Sequence, residues 1–81
     1  SEESSILRCT MIEQLILAME KADIPADERL LWIESAYPRF ARSIELRLSR
    51  ARCLSELHRD TDAQEELREA ARLAPTHPEV Y

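Results

Sequence analysis

The stretch IELRLSRARCLSELHRDTDAQEELREAARLAP, residues 44–75, holds two amphipathic helical patterns, a short polar turn around His58 to Asp62, and a closing Pro75. In the first pattern Phe40, Ile44, Leu48, Ala51 and Leu54 make one apolar line, with Leu46, Cys53 and Leu57 beside it. In the second, Ala63, Leu67, Ala70, Ala71, Leu73 and Ala74 recur at steps of three and four, which places them on one side of a helix. So short a connection folds the second helix back on the first, and the alanines let the two approach closely. Asp60, Thr61 and Asp62 each suit the cap, and Thr61 with Gln64 or Asp62 with Glu65 has capping-box spacing. The expectation is a helical hairpin, with helices from just behind Pro38 to about position 58 and over about 62–74.

Working back toward the N-terminus, Ser4 or Ser5 can cap a first helix that runs to about Ala22. Leu7, Met11, Ile12, Leu15, Ile16, Ala18, Met19 and Ala22 predict a broad buried stripe on it, and Leu17 lies on the otherwise polar side. Asp23-Ile24-Pro25 interrupts the pattern and opens a second helix over about 25–36, its first turn carrying Asp27 and Glu28. Leu30, Ile33 and Ala36 define the inner line, and Leu31 and Trp32 widen it, so core packing is the expectation for the sole tryptophan. Tyr37-Pro38 is read as the stop, because a residue before proline is pushed out of the helical region. A further helix is expected to begin in Thr76-His77-Pro78-Glu79-Val80-Tyr81.

The 81 residues suffice for one small domain, and 44% hydrophobic with 33% charged residues is a folded, helical composition. With no glycine, the tight hairpins and phosphate-cradling loops that need positive φ or close backbone approach are disfavoured. The fold class is all-α. A net charge of -5 opposes attraction to nucleic acid or anionic lipid, and no apolar run nears the roughly 20 residues of a membrane span. Cys9 and Cys53 are too few for a disulfide framework and are expected to be reduced, buried thiols. A cytoplasmic location is the expectation.

Setting Pro38 on Pro75 also sets Ala26 on Ala63, Leu30 on Leu67 and Ala36 on Leu73, a repeat of 37 positions. Ala51, Leu54, Ala63, Leu67, Ala70 and Pro75 stand at the separations of small, large and proline positions in a tetratricopeptide repeat, and Tyr81 falls where the next repeat places its first aromatic. The chain thus resembles that family over residues 44–81 and more loosely over 5–37. Arg47 and Arg50 fall at positions the family usually keeps apolar, and His58-Arg59 replaces its Gly-Asp turn. The resemblance implies a short α-solenoid of stacked antiparallel hairpins: one unit over about 5–37, a second over 38–75, and the start of a fifth helix at 76–81. Fewer than three units rarely close such an array, so further units of a longer chain, or self-association, are expected.

No catalytic pattern survives inspection. His58-Arg59-Asp60 has the kinase tripeptide without its downstream asparagine, glycine-rich loop or strand lysine, and nothing marks a nucleophile elbow. His58 and His77 have no companion at metal-ligand spacing. The expectation is a non-enzymatic module with no cofactor and no metal, whose partner is a protein or peptide. The resemblance implies that the first helix of a unit lines a groove, here directing Glu45, Leu48, Ser49, Arg52 and Glu56 toward a bound segment. The family's lysine and asparagine clamp for acidic C-termini is not reproduced.

Arg39, Arg42, Arg47, Arg50 and Arg52 make the third helix basic. Two readings stand for them: ion pairs with acids on neighbouring helices or within their own, as Arg52 with Glu56, or forks lining a groove for a carboxylate. Two alternatives to the peptide binder are a DNA-reading helix-turn-helix built on those arginines, and a purely structural dimerisation domain.

Overall fold

The computed structural model describes residues 2–74 as four helices: α1 (Glu2–Lys21), α2 (Ala26–Phe40), α3 (Ile44–Glu56) and α4 (Asp60–Leu73). Among the described residues there is no strand. The expected fifth helical start lies outside them.

Two of the three connections use the same device. The chain turns left-handed at Asp23 (φ 59°) after α1 and at His58 (φ 61°) after α3. In each case the next amide reaches five residues back, Ile24 N to Met19 O at 3.1 Å and Arg59 N to Leu54 O at 2.8 Å. The left-handed residue itself donates three back, Asp23 N to Glu20 O at 3.1 Å and His58 N to Ser55 O at 3.0 Å. This double closure satisfies carbonyls that a helix end leaves open, and glycine usually fills its left-handed position. With no glycine in the chain, an aspartate and a histidine carry the strain instead.

The third connection is a side-chain cap. Ser43 Oγ accepts from Leu46 N at 3.1 Å, starting α3, and donates to Glu13 Oε2 at 2.5 Å, which ties that cap to the middle of α1. From there α3 runs through the centre of the molecule and packs against α1, α2 and α4. Its burial follows: Leu46, Leu48, Ser49, Ala51, Cys53 and Leu54 are all removed from solvent. Ile16 of α1, Leu30, Ile33 and Ala36 of α2, Leu46, Cys53 and Leu54 of α3, and Ala63 of α4 form the core.

Several expectations are corrected. First, α1 starts at Glu2, so Ser4 and Ser5 sit inside its first turns. Second, α2 does not stop at Tyr37 but continues through Pro38 to Phe40. Proline at 38 removes the bond to the Glu34 carbonyl, but Glu34 and Ser35 face water, and buried Ala36 with the anchored Tyr37 side chain holds the turn. Arg39 and Arg42 therefore belong to the end of α2 and the linker, not to α3. Third, α4 starts at Asp60 behind Arg59 without a side-chain cap; Asp60 and Asp62 complement the positive end of the helix dipole instead. Fourth, the α1 stripe is largely uncovered: Ile16 is buried, but Leu7, Met11, Leu15, Ala18 and Ala22 are exposed. Trp32 is 56% exposed and Leu31 71%, so neither is core. Leu67, expected on the buried side of α4, is also exposed.

Candidate partner surfaces

The arginines of α3 are engaged inside the molecule. Glu66 of α4, only 6% exposed, accepts from Arg47 Nη1 at 2.9 Å, Arg50 Nη1 at 2.8 Å and the Tyr37 hydroxyl at 2.5 Å. Both guanidinium groups also lie over the Tyr37 ring, 4.9 and 5.4 Å from its centre. Burial, reinforced by the bond to the Glu66 carboxylate, pushes the Tyr37 phenol well above its ordinary range. A buried acid thus faces both Arg47 and Arg50.

A second network closes the other end of the hairpins. Arg29 of α2, 4% exposed, donates Nε to Ile24 O at 2.8 Å and Nη2 to Glu56 at 2.5 Å, with Glu20 at 3.7 Å. Arg52 joins it, donating Nε to Glu20 at 3.2 Å and Nη2 to Ser49 Oγ at 3.0 Å. Sequence reasoning missed both Arg29 and Glu66. The signal was present: they are 37 positions apart and each interrupts an otherwise apolar inner line, Ala26-Leu30-Ile33 and Ala63-Leu67-Ala70.

The five residues expected to line a groove are divided by the structure. Leu48 and Ser49 are each 2% exposed, Glu45 and Arg52 are half-buried, and Glu56 is exposed but holds Arg29. Leu48 and Arg52 border a shallow hollow between α3 and α4, together with Ala51, Ser55, Ala63 and Leu67. In the first hairpin Leu30, the counterpart of Leu67, is covered in the core; Leu67 still meets solvent.

A strongly apolar open surface lies elsewhere, on the α1–α2 pair. Leu7, Met11 and Leu15 stand along one line of α1, and Trp32 faces them from α2. Met11, Leu15 and Trp32, with Ile12, Ala36 and Phe40, border a groove of about 360 Å³ whose wall is mostly carbon, Arg8, Ser35 and Arg39 also lining it. Beyond Phe40 it opens into a wider hollow bordered by Arg8, Arg39 and Arg42. Among the described residues none of these three arginines has an ion-pair partner. The acid nearest in sequence to Arg8 on the inner side, Glu13, is held by Ser43 and by the Cys9 thiol at 3.4 Å.

Both cysteines are free; Cys53 is buried and Cys9 half-buried. Burial raises both thiols above their ordinary range, and for Cys9 the bond to Glu13 adds to the rise. Among the described residues no three His, Cys, Asp or Glu side chains are grouped to hold a metal ion, and no helix is long and apolar enough to cross a membrane. No protein-family model, curated protein or solved structure matches the chain.

Proposed function

We propose that this chain is a non-catalytic protein–protein interaction module, a short tetratricopeptide-like α-solenoid. Support for the repeat reading comes from two left-handed turns of the same form, the buried pairs Arg29 with Glu66 and Ile33 with Ala70, each 37 positions apart, and the way α3 packs on both helices of the preceding hairpin. On this reading the hollow by Leu48, Ala51 and Leu67 is where a further unit, or a second copy, stacks, and Glu45, Arg52 and Glu56 edge the surface it leaves.

The observation that carries the functional reading is the exposed apolar face of α1 and α2. Met11, Leu15 and Trp32 are all about half exposed or more and border one groove, with Leu7 and Leu31 also exposed on the same two helices, and exposed apolar patches of this kind mark binding surfaces. A DNA-reading α3 is disfavoured, because Arg47, Arg50 and Arg52 are taken up by Glu66 and Glu20. The test is a photo-crosslinking side chain at position 15, compared with one at exposed Glu65 on α4, in cells that make the protein. A discrete protein adduct from position 15 alone is expected; equal or no adducts from the two positions would refute the reading.

A further inference from the structure

The groove on α1–α2 has a definite chemical character, and it selects among occupants. Met11, Leu15, Trp32 and Phe40 line it together with Arg8 and Arg39, and Arg42 joins those two in the adjoining hollow; none of the three has an ion-pair partner among the described residues. This contrasts with α3, whose arginines Arg47, Arg50 and Arg52 face acids. In a chain with net charge -5, three exposed arginines stand beside an apolar groove with no acid opposite them among the described residues.

We infer that the groove takes an acidic amphipathic helix of a partner protein. This rests on the interaction-module reading and specifies its partner. A channel between two helices receives the ridge of a third, with anchors at i, i+3 or i+4, and i+7. From Arg8 to Leu15 the groove follows α1 for roughly 10 Å, two turns, which two or three such anchors fill. Carboxylates on the helix one turn beyond the anchors then meet the arginines, whose guanidinium forks bind them bidentately. A second copy is a poorer occupant: a symmetric pairing through this same face brings the arginines no carboxylate, since among the described residues no acid borders the groove or the hollow beside it.

Trp32, the sole tryptophan, lies in the groove and reports on its filling. Two synthetic helical peptides of about 18 residues share one leucine stripe and differ in the turn beyond it, which carries glutamates in one and lysines in the other. Titrated against the whole chain by Trp32 fluorescence, the glutamate peptide binds at least about tenfold tighter, and the advantage shrinks with added salt. In the triple variant Arg8→Glu, Arg39→Glu, Arg42→Glu, all exposed positions, the preference inverts to the lysine peptide. Equal affinities for the two peptides overturn the assignment of an acidic partner while leaving an interaction surface in place. Failure of both peptides to bind overturns the groove and the interaction-module reading together. Dimers by light scattering that Leu15→Glu dissociates assign the face to a second copy and likewise overturn the inference.

Discussion

Replacing Glu66 with alanine should be among the most damaging single changes in the chain. The carboxylate is 6% exposed and takes three donors: Arg47, Arg50 and the Tyr37 hydroxyl. Without it two guanidinium groups remain close together over one aromatic ring, with no acceptor between them. Breaking a buried ion pair from one side typically costs about 3–5 kcal/mol. Because the side chains of Arg47 and Arg50 are 14% and 24% exposed, they recover some hydration, and we expect about 2–3 kcal/mol. A chain this size has a total stability of about 4–12 kcal/mol, so the loss lowers the urea midpoint by about 2 M. The matching control is Glu66→Leu together with Arg47→Met and Arg50→Leu, which removes every charge at once and should cost far less than Glu66→Ala alone. A cost for Glu66→Ala below about 0.5 kcal/mol, or a triple variant as unstable as the single one, would refute the reasoning.

Alkaline stability follows from Tyr37. Its phenol is raised in the folded state, chiefly by burial and then by Glu66, so the stability it contributes is complete below the unfolded phenol's range and is lost as pH climbs toward the folded one. In a Tyr81→Phe background, phenolate absorbance should therefore lag behind that of a free tyrosine and appear together with unfolding; ionisation near the ordinary value in folded protein would contradict this. His58→Gly should stabilise by about 0.5–1 kcal/mol in thermal melts, since glycine adopts the left-handed conformation without strain; a destabilised variant would argue against the turn geometry. Ser43→Ala removes the cap of α3 and its tie to Glu13 and should cost about 1–2 kcal/mol by urea titration, against no change if the cap is absent in solution. A thiol reagent at mild alkaline pH should modify Cys9 well before Cys53, and Cys53 only on the timescale of opening; equal rates would place Cys53 outside the core.

Much of the fold was legible in periodicity. Leu30-Ile33-Ala36, Leu48-Ala51-Leu54 with Leu46 and Cys53 beside them, and Ala63 and Ala70 sit buried in the structure where their spacing put them. Periodicity identifies an apolar face but not what covers it, which is why Leu7, Met11, Leu15 and Trp32 were expected in a core and stand in solvent. The proline rule failed at Pro38 because tertiary anchoring of Tyr37 outweighed a local preference. Pairing was legible in kind but not in detail. Ion pairs between the third helix and its neighbours were one of two readings, yet Glu66 and Arg29 were passed over, because charged residues on an inner line violate the pattern being searched for. The arginines of the proposed partner groove, Arg8, Arg39 and Arg42, come from two helices and a linker, and no spacing within one helix brings them together.

The central claim is that the folded chain leaves its α1–α2 face open, and Trp32 measures this directly. In dilute, folded protein its emission should lie close to that of free tryptophan, and iodide should quench it nearly as well as in urea. Blue-shifted emission protected from iodide in the free monomer would mean that the face is already covered, and would contradict the account.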